Sequence, residues 1–255
     1  MRFENKNIVV TGAAAGMGKE ITSRYLAEGA NVLAVDVKEE GLQALAEELA
    51  KKELPGTLKT YAGNISSKAD AEGMIDEAVK EFGTLDILVN NAGISGRCEP
   101  VGELEDELWD RVLAVNLTGT MYAMRKAVQV MLTQESRGNI VNIASVAGLK
   151  GCRASSAYTV SKHGVVALTE HTAYMYLHEG IRVNAICPGG IRTRMAADHE
   201  KESEFGYGRI RGGMDPQFVF GETKNIADAV LFVSGEEGSF INGASLVVDG
   251  GMSCN

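Results

Sequence analysis

This chain of 255 residues lacks the features of a membrane, disulfide-rich or nucleic-acid-binding protein. No apolar run reaches the ~18 residues that span a bilayer, and the first residues lack the apolar segment of a signal peptide. The formal net charge of −9 disfavours binding to nucleic acid. The four cysteines follow no disulfide or metal spacing, so we expect reduced thiols in a cytoplasmic protein.

Linkers and metal-binding patterns are absent as well. The sequence has only four prolines and no internal repeat, which predicts a single domain over residues 1–255. Hydrophobic residues make up 45% of the chain, enough to bury a substantial core. The four histidines form no pair at i, i+4 spacing with an acidic partner, so no metal site is predicted.

Short apolar segments alternate with helical patterns along the chain. The predicted strands are Asn7–Thr11, Asn31–Asp36, Thr57–Ala62, Leu85–Asn90, Asn139–Ala144, Arg182–Cys187 and Ser245–Asp249. The predicted helices are Lys19–Glu28, Glu39–Lys52, Lys68–Phe82, Glu105–Leu132, Ala157–Glu179 and Lys224–Val233.

The strands are almost continuously apolar, as in Ile8-Val9-Val10 and Ile87-Leu88-Val89. Such strands are typical of a sheet that is covered on both faces. Strict alternation of strand and helix favours parallel pairing with right-handed crossovers. We therefore expect an α/β fold, a doubly wound (Rossmann) parallel sheet with helices on both faces. Its ligands should bind at the carboxyl ends of the strands.

The first strand leads into a glycine-rich turn, Thr11-Gly12-Ala13-Ala14-Ala15-Gly16-Met17-Gly18. Glycines allow the backbone to approach a pyrophosphate, and the following helix offers free N–H groups. A simple tight turn is the alternative interpretation, which the position after the first strand disfavours. The turn therefore predicts a dinucleotide site that includes Gly12, Gly16, Met17 and Gly18.

Asp36 closes the second strand, 18 residues after Gly18. A carboxylate there accepts hydrogen bonds from adenosine ribose hydroxyls and repels a 2′-phosphate, so it predicts NAD rather than NADP. The neighbouring Lys38 is the one feature that weakens this preference. An ordinary turn residue at the end of a strand is the alternative.

Together with five further motifs, these residues resemble the classical short-chain dehydrogenases/reductases. The resemblance covers nearly the whole chain, from about residue 5 to the closing Val248-Asp249-Gly250-Gly251. It depends on the glycine turn and on motifs in the same order as in the family. These are Asn90-Asn91-Ala92-Gly93, Asn116, Ser145, Tyr158 with Lys162, and Pro188-Gly189.

The resemblance implies further contacts with the cofactor. Asn91, Ala92 and Gly93 would line its adenosine side, while Ile191 and Thr193 would meet the nicotinamide carboxamide. Asn64-Ile65 stands where the family usually has an aspartate followed by an apolar residue. The Asn64 oxygen is still able to accept a hydrogen bond from the adenine amino group.

Tyr158 and Lys162 lie four residues apart in a helical pattern and share one face. A nearby ammonium, together with the cationic nicotinamide ring, would lower the pKa of a tyrosine, which makes Tyr158 a candidate acid/base. The resemblance implies that Lys162 also holds the nicotinamide ribose. Ser145 is expected to hydrogen-bond the substrate oxygen. By resemblance, Asn116 holds a water in a proton path from Lys162. The implied reaction interconverts a secondary alcohol and a ketone.

Residues 192–217 are predicted to form a mobile lid over the substrate, because the segment contains glycines, methionines and aromatics. An ordinary surface loop is the alternative. The favoured substrate is a hydroxysteroid or another bulky apolar alcohol. A 3-oxoacyl-thioester reductase and a sugar-alcohol dehydrogenase stay open as alternatives.

Apolar positions on two of the predicted helices, such as Val112, Met124, Val165 and Met175, predict pairing of subunits. The resemblance implies a homodimer or homotetramer with closed symmetry. A non-catalytic NAD-binding sensor or scaffold is the competing class of function. Such a protein has no need of the four residues Asn116, Ser145, Tyr158 and Lys162, whose presence favours an enzyme.

Overall fold

The computed structural model contains one sheet of seven parallel strands in the order β3-β2-β1-β4-β5-β6-β7. The structure describes residues 1–151, 153–193, 202–215 and 217–254. The strands are β1 (Asn7–Thr11), β2 (Asn31–Asp36), β3 (Thr57–Ala62), β4 (Ile87–Asn90), β5 (Gly138–Ile143), β6 (Ile181–Pro188) and β7 (Ser245–Val248). This confirms the predicted parallel doubly wound sheet.

Helices cover both faces of the sheet. They are α1 (Gly16–Ala27), α2 (Glu39–Ala50), α3 (Lys68–Phe82), α4 (Asp106–Leu113), α5 (Thr120–Met131), α6 (Ser156–Met175), α7 (Glu204–Gly212) and α8 (Thr223–Ser234). One core unites β1 side chains with Ile21 of α1, Leu45 of α2 and Ile226 of α8. The core on the opposite face includes Met74 of α3 and Met124 of α5.

The order of the strands places a crevice between β1 and β4. From β1 the chain builds outward through β2 and β3, and β4 then pairs with the free side of β1. The loops that follow β1 and β4 therefore diverge to opposite faces of the sheet. Ligands of doubly wound sheets bind in this gap.

The predicted helix over 105–132 is interrupted. α4 and α5 are joined by a π-helical turn, Ala114–Gly119, which contains the buried Asn116. A π turn adds a residue to the helix and is often found at functional sites. The sequence pattern shows no such insertion, because its apolar spacing runs on through the turn.

Several predicted boundaries shift by a few residues. α1 begins at Gly16 instead of Lys19, because the last residues of the glycine-rich segment, Gly16–Gly18, already belong to the helix. α6 ends at Met175, and a separate 3₁₀ helix, Leu177–Glu179, follows before Gly180 turns the chain at a φ of 73°. Among the described residues, no helix has both the length and the apolar character to cross a membrane.

The segment predicted as a lid contains the helix α7, whose N-terminus is capped by the Ser203 hydroxyl. Residues 194–201 and 216 of this segment lie outside the described ranges. Its two ends are tied together, because Arg192 N donates to Gly221 O and Gly221 N donates to Gly190 O, both at 2.9 Å.

Contact between α1 and β1 requires a glycine at position 18. A Cβ on Gly18 would lie 2.1 Å from the Gly12 carbonyl oxygen. Alanine is favoured over glycine within a helix by about 1 kcal/mol, but a clash with backbone costs about 1–3 kcal/mol. We predict that Gly18→Ala lowers the free energy of unfolding by about 1–2 kcal/mol, measured by urea denaturation.

Gly208→Ala is the matched control. Gly208 lies in α7, where a Cβ would meet nothing within 4 Å. This change should leave stability unchanged or raise it slightly. A Gly18→Ala protein as stable as the parent would show that α1 shifts without cost.

Candidate active site

The glycine turn forms an uncapped helix N-terminus. Gly12 and Gly16 have φ values of 65° and 56°, in the left-handed region that favours glycine. Ala15 occupies the N-cap position and makes no side-chain hydrogen bond to the helix. The first N–H groups of α1 therefore lack the usual side-chain acceptor, and a phosphate can replace it.

Asp36 lies directly beside this turn. Its Oδ2 accepts a hydrogen bond from Ala14 N at 3.1 Å, and its Oδ1 accepts one from Lys38 N at 3.0 Å. These two contacts fix the carboxylate at the carboxyl end of β2, next to the phosphate-binding backbone. Each oxygen keeps capacity for another donor.

Asn91 connects the loops after β1 and β4. Its Nδ2 donates to Thr11 O at 2.9 Å and to Gly12 O at 3.2 Å. Thr11 Oγ1 in turn accepts from the backbone N of Asn91 and of Ala92, each at 3.0 Å. The buried Asn91 Oδ1 has no hydrogen-bond partner among the described residues, so an acceptor is left over at the edge of the crevice.

A cleft of about 260 Å³ opens at the carboxyl ends of β4, β5 and β6. It brings together eight of the residues predicted from sequence: Met17, Asn91, Gly93, Ser145, Tyr158, Lys162, Ile191 and Thr193. Thr193 reaches back to the glycine turn, where its Cγ2 would lie 3.6 Å from a Cβ on Gly16. The glycine turn and the tyrosine therefore border one continuous space.

Ser145 and Tyr158 enter the cleft from different elements. Ser145 follows β5, and its Oγ accepts a hydrogen bond from Ala147 N at 3.1 Å. Tyr158 lies in the first turn of α6, which Ser155 caps by accepting from Tyr158 N. Burial raises the pKa of Tyr158, and a hydrogen bond with the Ser145 side chain acts in the opposite direction, which couples the two hydroxyls.

Lys162 lies one turn further along α6 and is only 4% exposed. Its Nζ donates to the main-chain oxygen of Ile143 at 2.7 Å and lies 5.6 Å from the centroid of the Tyr158 ring. Burial lowers the pKa of Lys162 to about 8. The Lys162 side chain is thus held in place by β5, but burial makes its charged form less favourable than in water.

The predicted lowering of the Tyr158 pKa depends on the nicotinamide charge as well as on Lys162, and the protein alone does not produce it. Burial raises the pKa of Tyr158 above its ordinary value, and the hydrogen bond with Ser145 only partly offsets this. Burial disfavours the charged form of both side chains, which the spacing of the sequence does not reveal. In this state the pair favours a neutral phenol.

Asn116 is held rigidly in the π turn and is fully buried. Its Oδ1 accepts from Ile94 N at 2.8 Å, and its Nδ2 donates to Ile94 O at 2.9 Å and to Ser161 Oγ at 3.1 Å. The side chain therefore connects the loop after β4 with α6. Gly93 is part of this junction, since a Cβ on it would lie 3.2 Å from Asn116 Oδ1.

Two predicted contacts with adenine are not in the walls of the cleft. Asn64 Oδ1, the atom expected to receive the adenine amino group, accepts instead from Ser66 N at 3.0 Å and from Ser66 Oγ at 2.8 Å. Ile65 is buried, and its main-chain oxygen lies against Gly119. The side-chain oxygen of Asn64 is therefore already occupied by two hydrogen bonds within its own turn.

Sequence reasoning missed part of the cleft wall. Residues of three segments also line it, and they are Ser95, Gly96 and Cys98 after β4, Arg153, Ala154 and Ser155 before α6, and Glu202 and Phe220 after β6. Of these, only Glu202 falls in a segment that the sequence predicts to cover the site, the lid over residues 192–217. Within the described part of the chain, no group of three or more His, Cys, Asp or Glu side chains could hold a metal ion. Cys98, Cys187 and Cys254 are free thiols, while Cys152 and His199 lie outside the described residues.

Comparisons with known proteins agree with this geometry. A family model described as "Enoyl-(Acyl carrier protein) reductase" matches residues 12–253. A protein named 3beta-hydroxysteroid dehydrogenase 2, from Eggerthella lenta, is 42% identical over 245 residues, which cover 96% of this chain and 94% of that protein. A 3-oxoacyl-(acyl-carrier-protein) reductase from Thermotoga maritima is 36% identical and covers 99% of both chains.

Solved structures give the same answer. A levodione reductase superposes with a TM-score of 0.90 at 32% identity, covering 99% of both chains. A carveol dehydrogenase from Mycobacterium avium, solved in complex with NAD, has a TM-score of 0.88 at 27% identity and covers 100% of this chain and 99% of that one. The chain belongs to the short-chain dehydrogenase/reductase family and is an oxidoreductase.

Proposed function

We propose that this protein interconverts a secondary alcohol and a ketone with NAD(H), using Tyr158 as the acid/base. The observation that carries the proposal is the meeting of Ser145, Tyr158 and Lys162 in a cleft that continues to the glycine turn. A binding-only sensor or scaffold has no need to arrange these side chains around one space. The arrangement therefore favours the enzyme over that alternative.

The residues at the crevice fit a nicotinamide dinucleotide. The uncapped N-terminus of α1 suits the pyrophosphate, and a Cβ on Gly12 would come within 2.9 Å of Ala92 Cα in the narrow gap beside it. The unpartnered Asn91 Oδ1 offers an acceptor on the adenosine side. Ile191 and Thr193, at the far end of the cleft, would contact the nicotinamide, so the chain's own geometry supports binding of the whole cofactor.

Asp36 favours NAD over NADP. Its carboxylate is fixed beside the turn, where it would accept hydrogen bonds from ribose hydroxyls and repel a 2′-phosphate. The only basic neighbour that the sequence suggested, Lys38, is exposed and contacts Asp36 through its backbone N–H. The NAD-bound carveol dehydrogenase is consistent with this preference.

In the oxidation direction, Tyr158 in its phenolate form takes the proton of the substrate alcohol and becomes the phenol, while Ser145 holds the same oxygen. When bound, the nicotinamide supplies the hydride acceptor and a positive charge. That charge favours the phenolate, which burial alone disfavours. Lys162, fixed by Ile143 O, adds its ammonium below a pH of about 8. Asn116 holds the loop after β4 against α6 through its hydrogen bonds to Ile94 and Ser161.

The proposed substrate is a hydroxysteroid or another bulky apolar alcohol. The name of the Eggerthella lenta relative and the presence of Ala154, Ile191 and Phe220 in the cleft wall support it. A 3-oxoacyl-thioester reductase is the second candidate, favoured by the family description and the Thermotoga maritima relative. Use of NADP would favour that candidate, because such reductases usually prefer it. A sugar alcohol has no specific observation in its favour.

We also propose a homodimer or homotetramer in the cytoplasm. Of the apolar helix positions predicted to pair subunits, Val112, Met124 and Val165 are buried within the chain itself, whereas Met175 is 58% exposed. Tyr174 beside it is 77% exposed. This apolar end of α6 supports pairing with a second copy.

Replacement of the catalytic hydroxyl tests the mechanism. We predict that Tyr158→Phe lowers kcat for oxidation of a steroid alcohol by about 10²–10⁴-fold, because the proton acceptor is lost while the ring is kept. Binding of NADH, followed by its fluorescence, should be retained. Tyr174→Phe, on the exposed end of the same helix, is the control and should keep full activity. Near-normal turnover by Tyr158→Phe would remove Tyr158 from its role.

Cofactor preference tests the role of Asp36. Unit charges about 4 Å apart repel by roughly 4 kcal/mol at an effective dielectric of 20. Solvent and side-chain movement reduce this, so we predict a kcat/KM ratio of about 100 for NAD over NADP, or ~2.7 kcal/mol. Asp36→Ala should narrow the ratio by losing ribose contacts and relieving repulsion. Glu40→Ala, exposed in the first turn of α2, should leave it unchanged. An unchanged ratio in Asp36→Ala would make Asp36 a simple strand-end residue.

Light scattering tests the assembly. At micromolar concentration we expect a mass at least twice that of one chain, because association covers the apolar end of α6. Met175→Glu should lower the mass if the end of α6 lies in the subunit interface. Glu103→Gln, in the exposed 3₁₀ helix Val101–Glu103, should leave the mass unchanged. A parent protein with the mass of a single chain would contradict the proposal.

A further inference from the structure

A second cavity, here called the side cavity, lies next to the catalytic cleft. It encloses about 480 Å³ between the loop after β4, the start of α6 and the helix α7. It shares Cys98 and Ala154 with the wall of the cleft. Most of its other wall residues are apolar, among them Val101, Leu104, Trp109, Val160, Phe205 and Ile210.

Glu99 brings a carboxylate into this apolar wall. The residue is only 4% exposed, and one of its oxygens accepts a hydrogen bond from Arg97 N. The other oxygen, Oε1, is buried and has no hydrogen-bond partner among the described residues. The main-chain oxygen of Glu99 accepts from Ser156 N and Ser156 Oγ, both at 3.0 Å. Loop and helix therefore hold the carboxylate in a fixed place.

The unpartnered oxygen is also close to the catalytic cleft. Gly96 lines that cleft, and a Cβ on Gly96 would lie 2.7 Å from Glu99 Oε1. The same Cβ would lie 2.1 Å from the Oγ of Ser155, the residue that caps the helix of Tyr158. Gly96 therefore packs directly against the carboxylate, which lies behind this part of the cleft wall.

A buried carboxylate oxygen without a donor is unfavourable, and hydrogen bonds to a charged acceptor are among the strong ones. A molecule that reaches both cavities gains by presenting a donor at this point. A neutral hydroxyl loses less hydration than an ammonium when it enters an apolar wall. The chemistry of the wall therefore selects an apolar body that carries a hydroxyl group.

We propose that Glu99 determines specificity by accepting a hydrogen bond from a second hydroxyl group of the substrate. This inference rests on the proposed function and narrows its substrate class. The substrate is a bulky apolar diol, or the corresponding hydroxyketone. Its reacting carbinol lies at Ser145 and Tyr158, and its remote hydroxyl lies at Glu99, with apolar surface in the side cavity.

The test uses pairs of fused-ring secondary alcohols that differ only in one hydroxyl at the end remote from the carbinol. For the parent enzyme with NAD, we expect kcat/KM to be about tenfold or more higher for the diol, mainly through KM. Glu99→Gln keeps an oxygen for Arg97 N but removes the charge. In this variant, the ratio should fall to within about threefold of one.

Glu103→Gln provides the matched control, because it removes one carboxylate from the exposed 3₁₀ helix Val101–Glu103 and should leave the ratio unchanged. A structural role of Glu99 would lower kcat/KM for both alcohols by the same factor, which would overturn the proposal. An equal kcat/KM for diol and mono-alcohol in the parent enzyme would overturn it as well. If neither compound is oxidised with NAD or NADP, the proposed function fails, and the role of Glu99 fails with it.

Discussion

Hydrogen bonds between the loops that leave β1 and β4 hold the whole site together. These two loops run to opposite faces of the sheet, and nothing in strand pairing alone keeps them adjacent beyond the last ladder bond. Thr11 and Asn91 supply the missing connection, since each side chain bonds to the backbone of the other loop. The gap they leave is narrow enough that glycine is needed at positions 12 and 18. The glycine turn and the start of the cleft are thereby fixed relative to each other.

Tyr158 and Lys162 take their electrostatic properties from burial as much as from each other. Burial disfavours charge on both Tyr158 and Lys162, and a single main-chain oxygen at the end of β5 orients the amine. A site of this kind responds strongly to any charge that enters it, because little water is present to screen the interaction. The proton affinity of the tyrosine thus depends on what the cleft contains.

Much of the fold and of the site can be predicted from the sequence, because both depend on local patterns. Buried parallel strands are continuous apolar runs, so β1 and β2 were predicted with their observed bounds. The pair Tyr158 and Lys162 depends only on helical spacing. The π turn around Asn116 was missed, because it arises from packing between the loop after β4 and α6. The rise in the Tyr158 pKa, the engagement of Asn64 by Ser66 and the buried Glu99 also depend on tertiary surroundings.

The closed base of the segment between Gly190 and Gly221 has a consequence for how such enzymes diversify. Two backbone hydrogen bonds join the ends of this segment, so the sheet ends at the same place whatever lies between them. The entropic cost of closing a loop grows only slowly with its length. Insertions, deletions and substitutions inside the segment are therefore expected to change the wall of the cleft at residues such as Glu202 and Phe220 with little effect on the sheet. In such a chain, the residues that contact the substrate are able to change in evolution while the sheet and the residues around Tyr158 stay the same.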